Sequence, residues 1–409
     1  MKKELCLVIS KLSVGGAQRR AFNLANELAR NGYSVYVLAI STDDSMSEIN
    51  NYYHTEKNTT LISLPEYYEK NKSEKKAVQI KRISDAKLSF LKLLQHFFSV
   101  LKINSVNLDF AIRCIRKSDA LKLFLANHPN ATIISFEFDI FERVYFSARK
   151  TKNQIIYAET NSSKRYESNK FYKQIKRYIN KSDALVFQTK EERAEHNMEC
   201  AQNAFVINNP VKPNLPEAHP PKRKPIIVNF CRLSRQKNLL LLIEAFKRFA
   251  EDCPGFSLEV YADCSGCTDE TYKKEVVSYI NDNALVDSVK ILPAVSDIHE
   301  RIIDYSMFVS SSDYEGISNS MIEAMAIGLP CVCTDCFGGG AKEMITDGEN
   351  GLLVPIRDVD AMKKAMVRMI TEEGLSEKCS KNASKIKETH SIEKISKEWL
   401  EVIKLVNGD

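Results

Sequence analysis

The sequence predicts an α/β protein made of two doubly wound units, and three observations lead there. Short apolar runs alternate with amphipathic segments along most of the chain, the pattern of parallel strands joined by crossover helices. A length of 409 residues exceeds what one ordinary core supports and suits two units of roughly 200 residues each. Between the halves, Pro210, Pro213, Pro216, Pro220, Pro221 and Pro225 crowd one stretch, so residues 209–225 read as a linker.

In the first half, residues 5–9 read as a short apolar strand. The apolar part of the opening is too short, and too interrupted by Glu4, for a signal peptide. Leu12 to Ala17 form a glycine turn into a helix over 18–31, and residues 33–40 read as the next parallel strand. Gly15 and Gly16 in that turn let backbone N–H groups approach an anion at the helix N-terminus. Apolar runs at 131–136, 154–158 and 184–188 continue the pattern to about residue 208. Residues 66–128 are rich in Lys and Arg, and 87–102 form a basic amphipathic segment. Such a segment either faces the core with a solvated rim or lies on an anionic membrane surface, and the basic, aromatic run 164–178 can add to that face. Nucleic acid is excluded as a partner by a net charge of only +5 and the lack of a recognition motif.

Composition is that of a folded enzyme, 44% hydrophobic and 27% charged, with no apolar run long enough to predict a transmembrane helix. Eleven cysteines, an odd number, point to reduced thiols and a cytoplasmic setting. The spacings Cys264-x-x-Cys267 and Cys331-x-Cys333-x-x-Cys336 raise a zinc reading. The second group lies partly on a predicted strand, where alternation opposes convergence on one ion, so the expectation is small buried residues and no metal.

The second half repeats the alternation. Strands are expected at 226–230, 257–262, 289–292, 307–310, 331–334 and 352–355, with helices at 239–251, 272–281, 298–305, from Ser318 or Asn319 to 327, and 341–346. In open α/β sheets ligands bind outside the carboxyl ends of the strands, so the turns there matter most. Arg232 and Lys237 fall on one such turn, where a guanidinium and an ammonium can clamp a diphosphate. Glu315 and Glu323 flank another, at the two ends of a loop-to-helix transition, where carboxylates can hold the hydroxyls of a sugar and a ribose. Gly338, Gly339 and Gly340 form a third, whose backbone N–H groups can cradle an oxyanion.

These residues carry a resemblance. Arg232 to Asn238 read R-L-x-x-x-K-N, Glu315 to Pro330 read E-G-x-x-N-x-x-x-E-A-M-A-x-G-x-P, Gly339 to Glu343 read G-G-x-x-E, and Asp347 to Val354 read D-G-x-N-G-x-L-V. With G-G-A-x-R at Gly15 to Arg19 and N-N-P-V at Asn208 to Val211, the chain resembles the retaining glycosyltransferases of family 4. The resemblance implies two facing Rossmann-like domains with a donor cleft between them, the glycosyltransferase B-type architecture. Their expected bounds are 1–210 for the acceptor domain and 211–390 for the donor domain, with a helix in 391–409 returning to the first. It implies that Arg232 and Lys237 neutralise the donor diphosphate, that Glu323 binds the ribose and that Glu315 holds the transferred sugar. Ser318, Asn319, Gly15, Gly16 and Gly338 to Gly340 would complete the donor site.

One departure stands out. Many relatives carry a His just after the strand at 131–136, whereas this chain has Ser135-Phe136-Glu137, and the next His along the chain is His196. Glu137 or Asn161 is the candidate for that sugar contact. The resemblance implies a retaining transferase that needs no cofactor or metal, with a nucleotide-sugar donor, a UDP-sugar favoured, and a glycan or polyprenyl-linked acceptor in bacterial surface polysaccharide synthesis. Its setting would be the cytoplasm, at the inner face of the membrane if the basic helices make peripheral contact. The alternatives are a nucleotide-sugar epimerase and a non-catalytic nucleotide-sugar-binding partner subunit.

Overall fold

The computed structural model describes residues 3–12, 16–42, 55–100, 106–115, 118–196, 203–217, 222–263 and 269–409. Gly15, Cys264, Cys267, Pro220 and Pro221 lie outside them.

Two all-parallel sheets organise the chain. The first has seven strands in the order β3-β2-β1-β4-β5-β6-β7. They are β1 Glu4–Leu12, β2 Ser34–Thr42, β3 Thr59–Ser63, β4 Thr132–Phe136, β5 Ile155–Ala158, β6 Ala184–Phe187 and β7 Ala204–Val206. The second has six, β10-β9-β8-β11-β12-β13, from β8 Lys224–Arg232, β9 Ser257–Asp263, β10 Val289–Pro293, β11 Tyr305–Ser310, β12 Cys331–Asp335 and β13 Leu352–Pro355. Counted within its own sheet, the second order is 3-2-1-4-5-6, the doubly wound arrangement whose strand order reverses between the first and fourth strands. That reversal opens a crevice at the carboxyl ends of β1 and β4 in one sheet and of β8 and β11 in the other.

Both faces of each sheet are covered, which is why the strands read as nearly continuous apolar runs. In β1, Leu5, Leu7 and Ile9 pack on one face with the helix Gly16–Arg30, while Cys6 and Val8 pack on the other with the helices Asp119–Asn127 and Phe138–Ala148. The last helix, Ile392–Asn407, places Ile395, Trp399, Val402 and Ile403 in the core of the first sheet rather than the second. The chain therefore crosses between the sheets twice, and the crossings are tied together: Val211 N–H donates to His390 C=O at 2.9 Å, and His390 Nε2 lies 3.2 Å from Asn208 Oδ1.

One expected element is corrected. The helix over 298–305 ends at Arg301, because Tyr305 opens β11, pairs with Lys224 of β8 and buries its ring. Arg232 is the last residue of β8, not a loop residue. Cys331, Cys333 and Cys336 are buried free thiols, and burial pushes the Cys333 thiol up to about 12.

Candidate active site

At the β8 and β11 ends, two loops are stitched together by side chains. After Arg232 the chain makes a tight turn, Arg235–Lys237, and Asn238 adopts a left-handed φ of 44° to enter the helix Leu239–Asp252. Asn238 Nδ2 donates to Asp313 Oδ1 at 2.9 Å, and Ser311 Oγ donates to Lys237 C=O at 2.8 Å. This geometry turns Lys237 inward. Its Nζ donates to Glu315 Oε2 at 2.8 Å, and Gln236 Nε2 reaches the same oxygen at 3.0 Å. Lys237 is only 8% exposed. Burial, the largest single influence, would lower its pKa, but the Glu315 carboxylate and the Cys231 sulfur together outweigh it and the net shift is upward. The ammonium is thus held charged at the crevice, with Arg232 exposed beside it and repelling it mildly.

The helix Asn319–Ile327 begins after Ser318, whose hydroxyl meets Ser320 Oγ at 3.0 Å instead of capping a backbone N–H, and stops at Gly328 with φ 92°. Met321, Ile322, Met325 and Ala326 are buried, and Glu323 is buried with them at 3% exposure. Its Oε2 lies 2.9 Å from His299 Nε2, and its Oε1 takes Arg19 of the facing sheet at 2.7 Å. Lys212 Nζ is 3.5 Å from His299 Nδ1. A small cleft here is lined by Arg19, Arg20, Asn23, Lys212, Asn319 and Glu323. Asn319 Oδ1 also accepts from Asn209 Nδ2 at 3.4 Å. Sequence reasoning missed His299 and Arg19; the only trace of Arg19 was its place in G-G-A-x-R.

Gly338 and Gly339 have φ of 93° and 66°. They hold the turn so tightly that a Cβ on Gly338 would overlap Glu315 C=O and one on Gly340 would overlap Gly316 C=O. The turn faces the first sheet. Gly338 N–H donates to Glu195 Oε1 at 2.9 Å, and Thr189 Oγ1 donates to Gly338 C=O at 2.6 Å. A carboxylate thus stands on one of the N–H groups expected to meet an oxyanion. Gln188 Oε1 accepts from Ile317 N–H at 2.6 Å, and Asn209 Nδ2 donates to Ile317 C=O at 3.0 Å, so the two sheets meet directly behind Glu315.

On the first sheet, Gly16 opens the first helix. Glu137 follows β4 at a φ of 78°, a conformation seldom adopted by a side-chain-bearing residue. Its Oε1 is buried without a partner among the described residues, and burial raises its pKa despite a contact with Ser10. Asn161 is buried, and its Oδ1 accepts from Ser162 N–H at 3.0 Å. His196 is fully buried with its Nε2 3.0 Å from Glu159 Oε2, so it does not replace a cleft histidine. Arg20 donates to Glu159 C=O at 3.0 Å and stacks over Phe136 and Trp399; burial pulls its pKa down to about 10.

Against known proteins, residues 211–386 match the model of the glycosyl transferases group 1. These residues form a group 1 glycosyltransferase domain. The group 1 domain supplies Arg232, Lys237, Glu315 and Glu323, while Arg19, Glu137 and Glu195 come from the other sheet. The chain is 23% identical to an uncharacterized glycosyltransferase of Haemophilus influenzae over 98% of its own length and 99% of that protein's. It is 25% identical to the poly(glycerol-phosphate) alpha-glucosyltransferase of Bacillus subtilis over 69% of its own length, but spans only 41% of that relative. Its fold is that of the glycosyltransferase B-type: a crystallised variant of S. aureus TarM, with UDP and alpha-GlcNAc-glycerol bound, superposes with a TM-score of 0.76 at 17% identity, covering 98% of this chain and 99% of TarM. Among the described residues no helix is long and apolar enough to cross a membrane, and no group of three or more His, Cys, Asp or Glu is placed to hold a metal ion.

Proposed function

We propose that the chain transfers a sugar from a nucleoside-diphosphate donor, a UDP-sugar before others, to a hydroxyl of a glycan or polyprenyl-linked glycan, with retention at the anomeric carbon. The observation that carries this reading is the buried, charged Lys237 fixed by Glu315 at the β8/β11 crevice. Breaking a glycosyl–diphosphate bond builds negative charge on the leaving group, and preorganised cations in a closed cleft stabilise that charge most. Arg232 and Lys237 supply it, so the reaction needs no metal. Glu323 takes the ribose hydroxyls in exchange for Arg19, and Glu315 orients the transferred sugar. Retention follows when the acceptor oxygen bonds to the anomeric carbon on the face the diphosphate leaves, its proton passing to the departing phosphate oxygen. Surface polysaccharide synthesis at the inner face of the cell membrane is the setting that suits such an acceptor.

The test is a screen of UDP-, GDP-, dTDP- and ADP-sugars for thermal stabilisation and slow nucleotide release, with Arg232→Ala as control and chelator in a parallel series. One donor is expected to stabilise the protein and to be cleaved only with Arg232 present and equally with chelator. NMR of the acceptor product then reads the anomeric outcome. Donor epimerised without acceptor would replace this reading by an epimerase, and binding without any nucleotide release by a non-catalytic partner subunit.

A further inference from the structure

The 26-residue helix Lys75–Val100 has two faces that bear apolar groups. One packs on the helices Val106–Ile115 and Asp119–Asn127, with Ala77 and Ser84 buried, Ser84 Oγ donating to Asp119 Oδ1 at 2.6 Å and Gln95 Nε2 to Asp109 Oδ1 at 2.6 Å. On the opposite face Ile83, Phe90, Leu93 and Phe97 are 48%, 61%, 67% and 57% exposed. Their steps of seven, three and four residues set them in one stripe, with Ala86 in the same row. Such a run of large exposed apolar groups on one face marks an interaction site rather than ordinary surface.

Charge decides what covers it. The helix carries Lys75, Lys76, Lys81, Arg82, Lys87 and Lys92 against Asp85 alone, an excess of five that equals the net charge of the whole chain, +5. Even Asp85 is taken by Lys81 at 3.1 Å. Arg82 and Lys87 border the stripe on its two sides. The stripe has the spacing of a two-helix seam, but a second copy is opposed: in a parallel pair Arg82 would face the Lys87 position of the other helix, and in an antiparallel pair each would face its own kind. Other cations lie close to the helix on its packed side. Asp109, which takes Gln95, takes Lys170 Nζ at 3.3 Å on its other oxygen, and exposed Lys173 and Arg177 follow on the helix Tyr172–Ile179.

We infer that the Lys75–Val100 helix is the docking surface for an anionic bilayer. Ile83, Phe90, Leu93 and Phe97 enter the boundary between headgroups and acyl chains, and the flanking cations meet the anionic headgroups. The inference rests on the proposed membrane setting only for which side of the membrane is met. Binding needs neither donor nor acceptor, so its failure leaves the transferase reading untouched.

The experiment is sedimentation of the full chain with vesicles of phosphatidylcholine alone and of phosphatidylcholine with phosphatidylglycerol. The wild type is expected to pellet with the mixed vesicles, to be released by salt, and to stay in solution with phosphatidylcholine alone. Phe90→Ser, Leu93→Ser and Phe97→Ser together should lose binding by about tenfold or more, as should Arg82→Gln with Lys87→Gln, with thermal unfolding unchanged because all five side chains are exposed. Wild type left in the supernatant with the mixed vesicles overturns the inference, as does a serine variant that pellets like the wild type. Light scattering that shows a dimer abolished by the serine substitutions assigns the stripe to a second copy instead.

Discussion

Lys237 and Glu323 are both buried ionisable groups, and their partners separate their roles. Lys237 pairs within its own sheet, with Glu315 from the next loop, so its position is set before any ligand arrives. Glu323 instead spends one oxygen on His299 and the other on Arg19 from the facing sheet, a bond that a ligand hydroxyl can replace. Lys237→Ala should therefore slow turnover by on the order of a hundredfold while nucleotide affinity changes little. Glu323→Ala should weaken UDP binding by roughly tenfold, measured by calorimetry, because hydrogen bonds to a charged acceptor contribute about 1.5–3 kcal/mol. Unchanged binding and rate in both variants would remove the site from this crevice. Gly340 tests the packing beneath it. A Cβ there meets the rigid Gly316 carbonyl, not a mobile side-chain end, so Gly340→Ala should cost more than about 2 kcal/mol in thermal unfolding.

The helix Ile392–Asn407 follows the second sheet in sequence and completes the first in space. Its N-cap Ser391 accepts from Lys394 N–H at 3.4 Å, and Trp399 is buried against Phe136 and the Arg20 guanidinium. Trp399→Ala should thus destabilise the first sheet by about 3–5 kcal/mol, read as a lower midpoint in urea, and Ser391→Ala by about 1 kcal/mol. Elements of this kind differ in how far the sequence reveals them. Strands buried on both faces, such as β1 and β11, announce themselves as apolar runs, and the glycine after Asn319–Ile327 marks its end. The edge strand β3, Thr-Thr-Leu-Ile-Ser, pairs on one side only and carries no such run, and β7 has three residues. Residues 302–305 look helical because Ile302 and Tyr305 keep a helical spacing, but pairing of Tyr305 with β8 overrides it. At the site, cations and carboxylates at strand ends were legible as types. Their partners were not, because Lys237 meets Glu315 across 78 residues and Arg19 meets Glu323 from the other sheet, and no local period encodes either contact.

At the scale of the whole molecule, the two sheets meet through a short polar seam in which a carboxyl group is packed where it cannot easily ionise. Glu192 is fully buried; its Oε2 accepts from Gln188 N–H at 2.7 Å, while its Oε1 has no partner among the described residues and abuts Gly316 of the other sheet. Burial first, and then the neighbouring Glu159 carboxylate, holds its pKa well above the ordinary 4.5. A carboxyl whose pKa is raised by folding binds its proton more tightly in the folded state. Its contribution to stability is therefore complete at pH below about 4.5 and is lost as pH rises towards the folded-state value. Glu137 and Glu142 are raised as well and act in the same direction, whereas half-buried His390, whose pKa is lowered by burial, costs stability as pH falls below about 6.5. Comparing two proteins isolates the seam. Glu192→Gln keeps the acceptor for Gln188 N–H and removes the titration, so its unfolding temperature should exceed the wild type's increasingly as pH rises from 5 to about 8, with little difference near pH 4.5. Curves that stay parallel across that range would mean that Glu192 does not titrate there and that the seam is insensitive to its charge.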